Sequence, residues 1–415
     1  MRRSRAYVLV AAACALPRVA IVLVEQGKLL DRFTEKSDQI AQTFVDSGTF
    51  GFLPDVPTAY TQPLYGFFLS PIYFVFGRSW LAVGLAQTLV AVATALLVYE
   101  IGRRVASPRA GLVGALIATL HPYVVWHDVH VNREVLDGML AAALVLLTVM
   151  VAERRSWPLA AALGAVAGLA ILGNARLVLL PLVLALYLAW RWREARLTLR
   201  AVAIAGVALA VVIAPWVVRN EAKVGCYAIT TDSRALWKAN NPATYETLQR
   251  GLWIDDVPEL PGAPPSPELA AALALDRGRP FPVDECAQMD LYRDEVVEFW
   301  REHPGEKAKL AGQATVMLWN PAEQAGESAK SDTGFSDFGR TWIEPAYVSL
   351  LYLFALGGAL VAGRRFVVLA VALLGYQTLA AMVFAGTPRY RSPWDFLLAL
   401  LAGIALVHLW ERRRT

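Results

Sequence analysis

Apolar residues run along this chain in long blocks, separated by short arginine-bearing turns and by two longer polar segments. A block needs about 17–25 residues to cross a bilayer as a helix. Spans are expected near residues 7–24, 79–101, 108–125, 134–151, 157–172, 176–190, 199–217, 347–362, 366–385 and 393–410. The blocks at 157–172 and 176–190 are short. Arg154 and Arg155 before them and Arg191, Arg193 and Arg196 after them call for an even number of crossings between. The pattern thus predicts about ten spans with both ends of the chain on one side. The first block follows the basic start MRRSR, but no small-residue cleavage site follows it. Glu25-Gln26-Gly27-Lys28 is a poor one, so an anchor is expected there. Residues 64–76 are apolar and aromatic but reach only about 20 Å against a core of about 30 Å. An interfacial helix on the outer leaflet is the expectation, with a re-entrant segment as the alternative.

Composition agrees with that pattern. The chain has 415 residues, 56% hydrophobic and 18% charged, with a mean hydropathy of +0.43. Soluble domains run at about 45–50% apolar and about 25% charged. An all-α polytopic membrane protein is expected, and a soluble enzyme or a nucleic-acid binder is excluded. Three cysteines rule out a disulfide scaffold and a cysteine metal cluster. Cys226 and Cys286 both fall outside, where an oxidising compartment permits a bond between them.

Charge adds sidedness. The inner turns hold seventeen arginines against four glutamates, net +13, and the rest of the chain is net −9. Such asymmetry fits an arginine-rich cytoplasmic face. Inner connections are short. The outer side carries a loop at 25–78, a short loop at 126–134 and a segment at 218–346, which would be an inserted α or α+β domain. The domain reading is therefore a transmembrane module 1–217, an extracytoplasmic domain 218–346 and a second transmembrane module 347–415. No GxxxxGK[ST] phosphate cradle occurs. Chemistry on the outer face, away from cytosolic nucleotides, needs an activated substrate that has already crossed, and a lipid-linked one is the natural choice.

Several residues can carry such chemistry. Asp38 lies in the first outer loop, where a carboxylate can take a proton from an attacking hydroxyl; the other reading is an ordinary solvated carboxylate, as Glu25, Asp31, Glu35, Asp46 and Asp55 share that loop. The run Trp126-His127-Asp128-Val129-His130-Val131-Asn132-Arg133-Glu134 crowds polar side chains at the outer end of two spans, a costly placement near lipid. His127, Asp128 and His130 have a spacing that can hold a divalent cation, or the histidines are interfacial and bond to backbone. Arg133 and Glu134 can act in catalysis or pair structurally. Arg176, Arg389 and Arg391 sit at outer span ends, where the guanidinium fork suits a phosphate. Headgroup binding, or a salt bridge to Asp395, is the other reading. Pro388 and Pro393 predict an extended segment on which Arg389 and Arg391 share a face. Arg18 is the one basic residue well inside a span, facing a polar cavity or snorkelling. Trp237, Asn240 and Asn241 combine a ring with paired amides, suited to a sugar acceptor, though Asn-Asn-Pro is also a turn sequence.

With these residues assembled, the chain resembles the GT-C superfamily of membrane glycosyltransferases. The likeness is to the glycosyltransferase family 39 branch of protein mannosyltransferases and aminoarabinose transferases. It rests on Ser37-Asp38, Ser47-Gly48-Thr49-Phe50, Pro57-Thr58-Ala59-Tyr60, Gln62-Pro63-Leu64-Tyr65, Phe76-Gly77, Gln87, His121-Pro122, Arg133-Glu134 and Arg389-Tyr390-Arg391-Ser392-Pro393. It covers roughly residues 1–220 and the last 70 or so. The resemblance implies inverting transfer from a polyprenyl-phosphate sugar to a lipid, glycan or protein acceptor on the outer face of the cytoplasmic membrane. It also implies Asp38 as base and, where relatives have one, a second acidic residue for which Asp128 and Glu134 both qualify. On the residues' own chemistry, Arg389, Arg391, Arg176 and Arg133 are expected toward the donor phosphate. Trp237, Asn240, Asn241 and Tyr65 are then expected at the acceptor. Metal use varies across the superfamily, so a divalent cation stays open.

Three rival functions fit such a chain: a secondary transporter, a surface-polysaccharide polymerase or ligase, and a non-enzymatic membrane scaffold, which composition alone does not separate from an enzyme. A secondary transporter would place ionisable residues near mid-bilayer and show two related halves; here the charges gather at the outer rim and no repeat is found. A surface-polysaccharide polymerase or ligase would use similar lipid phosphates without the ordered first-loop pattern.

Overall fold

The computed structural model describes residues 3–25, 35–278, 283–322 and 338–414. Residues 26–34, which include most of the junction after the first span, lie outside the described residues. Helices α1 (Arg3–Val24), α4 (Trp80–Val105), α7 (Glu134–Arg154) and α10 (Ala195–Val224) are long and apolar, as the blocks predict. Seven described helices are long and apolar enough to cross a membrane, or eight if the pair Pro388–Trp394 and Phe396–Arg412, bent by 57°, counts as one. Two expected spans take other forms. The block at 108–125 is a 12-residue helix, α5 (Pro108–Thr119), broken before the short α6 (Pro122–His127). The block at 157–172 is α8 (Trp157–Gly173), 17 residues long. The described residues form no β-strand, only isolated bridge positions such as the pair Leu53 and Val56.

Salt bridges show which helix ends lie together. Arg109 pairs with Glu411, Arg104 with Glu153, and Arg155 with Glu194. Arg104, Arg109 and Arg155 therefore gather at one end of the bundle, as the charge count expects. At the other end, α2 (Lys36–Ser47) and α3 (Pro63–Phe76) form the first outer loop. Helix α3 buries its first half, including Tyr65 and Leu69, and exposes Phe74, Val75 and Phe76. Its 14 residues are too few to span, and the exposed aromatic end suits an interfacial helix.

Segment 218–346, where described, consists of helices joined by stretches of turn and coil. It contains α11 (Arg234–Lys238), α12 (Thr244–Gln249), α13 (Pro267–Arg277), α14 (Glu285–Glu302) and α15 (Pro304–Trp319). Helix α10 runs unbroken through residue 217, so the membrane module continues into this segment as one rod. Cys226 and Cys286 form a disulfide across a Cα separation of 6.0 Å, tying the end of α10 to the start of α14. Beside it, the Glu285 carboxylate accepts from the Thr58 hydroxyl, the Ala59 amide at 3.0 Å and the Thr231 hydroxyl at 2.8 Å. The outer segment thereby holds the first loop just beyond α2.

Candidate active site

Four stretches distant in sequence meet at the end of the bundle opposite the arginine-rich one: the start of α2, residues 131–137, the turn 174–176, and residues 387–391. The Arg389 guanidinium joins two of the others, donating to Glu35 and to Glu134. Glu35 immediately precedes α2, and its amide bonds the Val131 carbonyl. Burial and the neighbouring Glu134 charge push the Glu35 carboxyl above its ordinary range, while Arg389 opposes the shift. Arg133 donates from Nη1 to Gln62 Oε1 at 2.7 Å. Asp137 accepts from Asn174 at 3.0 Å. Arg176 donates from Nε to Asn174 Oδ1 at 3.1 Å and lies 3.4 Å over the Tyr390 ring. Three buried atoms in this cluster have no hydrogen-bond partner: Arg133 Nε, Glu134 Oε2 and Asp137 Oδ1. Native interiors rarely leave such groups unmatched, because each costs about 1–3 kcal/mol.

Asp38 sits beside this cluster in a different setting. It is buried in the first turn of α2 and accepts from the Tyr73 hydroxyl, from Arg78 Nη2 at 2.8 Å and Nε at 3.1 Å, and from Gln42 at 3.1 Å. An ionised carboxylate has about four acceptor positions. Those of Asp38 are taken, which locks α2 against α3 and the start of α4.

The two terminal arginines part company, and the expected extended segment is absent. Residues Pro388–Arg391 form a helical turn capped by Thr387, and Ser392–Trp394 a 3-10 turn. Each proline takes a first-turn position, where its missing N–H costs nothing and its fixed φ suits the helix. On such a turn, residues two apart diverge by about 200°. Arg391 therefore points away from Arg389. It is 1% exposed, donates to Asp395 at 3.0 Å, and reaches the Leu318 carbonyl at 2.7 Å and that of Asn320 at 3.2 Å at the end of α15. It is a structural tie and not a phosphate ligand. The turn itself depends on Gly386, where a Cβ would lie 1.7 Å from the Ala314 carbonyl oxygen of α15. Gly386→Ala is expected to shift the Arg389 turn and cost about 1–3 kcal/mol of stability, measured as a fall in Tm together with reduced turnover.

Other expected site residues have structural roles. Asp128 is buried and accepts from Arg18 Nε at 2.9 Å and Nη2 at 2.7 Å. That pairing, rather than snorkelling, accounts for the arginine within α1. His130 bonds the Trp126 carbonyl at 2.6 Å and His127 stacks on Tyr123. Burial lowers both histidines, His130 to about 4, so both are neutral. Among the described residues no group of three or more histidine, cysteine, aspartate or glutamate side chains is placed to hold a metal. His127, Asp128 and His130 thus do not assemble a cation site.

The expected acceptor residues are also committed. Asn240 donates to the Leu236 and Val383 carbonyls at 2.7 and 2.9 Å and accepts from Trp300 and Lys307. Asn241 closes its own turn, donating to the Trp237 carbonyl at 3.0 Å. Trp237 packs on Tyr292. Tyr65 donates to Gln87 at 2.6 Å, and Gln87 holds the Asp128 and His130 carbonyls. The amides of Asn240 and Asn241 and the hydroxyl of Tyr65 are thus engaged by neighbours, while Trp237 and Asn241 also line a cavity of about 510 Å³ with Glu295 and Glu298. The residue the sequence reading passed over is Glu35, one loop carboxylate among several. Only the tertiary meeting with Glu134 and Arg389 distinguishes it.

The profile of the dolichyl-phosphate-mannose-protein mannosyltransferase family matches residues 55–218. That stretch holds Arg133, Glu134, Asp137 and Arg176, and begins after Glu35 and Asp38. No curated protein matches the chain. Solved structures do. One is the archaeal oligosaccharyltransferase AglB from Archaeoglobus fulgidus, in complex with an inhibitory peptide and a dolichol-phosphate. Identity is 12% and the TM-score 0.53, covering 98% of this chain and 50% of that one. The Archaeoglobus fulgidus oligosaccharyltransferase tethered with an acceptor peptide matches at 11% identity and TM-score 0.54, with 98% and 50% coverage. ArnT from Cupriavidus metallidurans bound to undecaprenyl phosphate matches at 16% identity and TM-score 0.46, covering 96% and 77%. The chain spans about half the length of the archaeal structures it matches. Residues 55–218 are thus similar to that mannosyltransferase family, and the chain as a whole shares its helical fold with the archaeal oligosaccharyltransferase structures.

Proposed function

We propose that this protein transfers a sugar, with inversion, from a polyprenyl-phosphate donor to an acceptor at the outer face of the cytoplasmic membrane. The observation that carries the reading is the half-satisfied charged cluster at residues 133–137, with Glu35 and Arg389 closing over it. A cluster with both signs of charge and buried open valences suits a ligand that brings a phosphate and hydroxyls. The matched family is described by a dolichyl-phosphate-mannose donor, and AglB was solved with a dolichol-phosphate.

In this mechanism the first-loop base takes the proton of the acceptor hydroxyl as that oxygen attacks the anomeric carbon, and polyprenyl phosphate leaves. Glu35 is the better placed base, since its carboxyl is raised and engaged chiefly by Arg389, whereas Asp38 is saturated. Asp38 then fixes α2. Arg389, Arg176 and Arg133 stabilise the charge that grows on the departing phosphate. Because the base must be ionised, kcat/KM falls as pH drops through the raised Glu35 value, above the ordinary carboxylate range.

Donor binding is tested with undecaprenyl phosphate added to the purified protein. A ligand that binds only the folded state raises Tm. The account expects such a rise, reduced in Arg389→Ala and Arg176→Ala; no rise with the unaltered protein contradicts it. Sidedness is tested by cysteine labelling in intact cells. Asp294→Cys, exposed on α14, is expected to react with a membrane-impermeant thiol reagent, and Ala195→Cys, exposed at the arginine-rich end, only after permeabilisation. The reverse pattern would place the site on the inner face.

A further inference from the structure

At the arginine-rich end of the bundle, far from the charged cluster, α5 and the Phe396–Arg412 helix enclose a groove of about 290 Å³. Its lining is Leu112, Val113, Leu406, Val407 and Trp410, with Arg109 at the mouth. The groove follows from how the two helices cross. At Gly114 and Gly403 their backbones touch, and a Cβ on Gly403 would lie 2.6 Å from the Gly114 amide nitrogen. Leu112 and Val113 flank Gly114, and Leu406, Val407 and Trp410 follow Gly403 toward the end of their helix, so the groove lies beside that contact.

Charge at the mouth is one-sided. Arg109 has a side chain 66% exposed and meets a single carboxylate, Glu411, at 3.1 Å. Arg412, Arg413 and Arg414 follow on the facing helix and are exposed. Arg414 lies 3.8 Å and Arg109 5.3 Å from the Trp410 ring centroid, so the indole sits between cations at the interface level. An apolar slot opening under exposed guanidiniums, at the end of a membrane bundle, is complementary to a molecule with an acyl chain and an anionic head. A zwitterionic lipid fills the slot but brings no net negative charge to the exposed guanidiniums of Arg109, Arg413 and Arg414.

We propose that this groove is a binding site for an anionic phospholipid of the leaflet at the arginine-rich end. One acyl chain lies between Val113 and Leu406, and the phosphate is held by Arg109 with Arg413 and Arg414. The inference does not use the charged cluster at the other end, so it stands or falls separately from the sugar-transfer reading.

The test reconstitutes the full chain in nanodiscs of phosphatidylcholine with a minor share of phosphatidylglycerol. The protein is then re-extracted mildly and the retained lipid counted by mass spectrometry. The unaltered protein is expected to retain phosphatidylglycerol at least about fivefold above its share in the disc. Arg109→Gln is expected to remove most of that enrichment, and Val113→Trp, which fills the slot, to remove retention of either lipid. Arg196→Gln, exposed on α10 away from the groove, is expected to leave enrichment unchanged. Should Val113→Trp fail to fold, the comparison of Arg109→Gln with Arg196→Gln still decides. No enrichment in the unaltered protein, or equal losses in those two arginine variants, would overturn the site.

Discussion

Glu35→Gln is expected to lower kcat by at least about 10²-fold while leaving the protein folded, because the amide cannot take the acceptor's proton. The substitution keeps the size of the side chain and its ability to accept from Arg389, so the helix start at Lys36 should remain in place. Asp38→Asn is expected to behave differently. Its carboxylate ties Tyr73, Arg78 and Gln42 together, so losing the charge loosens α2 and lowers Tm as well as rate. Parallel measurement of kcat and Tm separates the two roles. Normal turnover in Glu35→Gln, with dead but normally stable Asp38→Asn, would hand the base back to Asp38.

Arg391→Ala is expected to destabilise the protein by about 3–5 kcal/mol, the usual cost of removing one partner from a buried ion pair. Asp395 would keep a buried charge, and the carbonyls of Leu318 and Asn320 would lose their donor. Arg389→Ala should give the opposite signature. Its side chain is 22% exposed and faces the charged cluster, so catalysis falls more than stability. Thermal unfolding in detergent, set beside kcat/KM for the lipid donor, shows both effects. If Arg391→Ala unfolds at the temperature of the unaltered protein, the structural assignment of that residue is wrong.

The membrane architecture was legible because it rests on long-range averages. Block length and the sorting of arginines survive local irregularity, and salt bridges such as Arg109 with Glu411 and Arg155 with Glu194 join the ends the charge count had grouped. Helix α3 was legible for the same reason, as thirteen apolar residues are too few to span whatever they contact. The site was less so. Glu35 and Glu134 are brought together by Arg389, more than 250 residues further along than Glu134, and nothing local to Glu35 announces that meeting. Asn240 and Asn241 illustrate the converse. Their composition suits a sugar, but whether amides are free or spent on neighbouring carbonyls is a tertiary fact. Pro388 and Pro393 were legible as breakers, and the structure uses them as helix starters.

The most direct test incubates the purified protein with a panel of synthetic polyprenyl-phosphate sugars and membrane extract as the source of acceptor, and measures released polyprenyl phosphate. The account predicts release with at least one donor, dependent on Glu35 and Arg389 and insensitive to added nucleotide sugars. No release from any donor by folded protein, or release undiminished in both Glu35→Gln and Arg389→Ala, would contradict it.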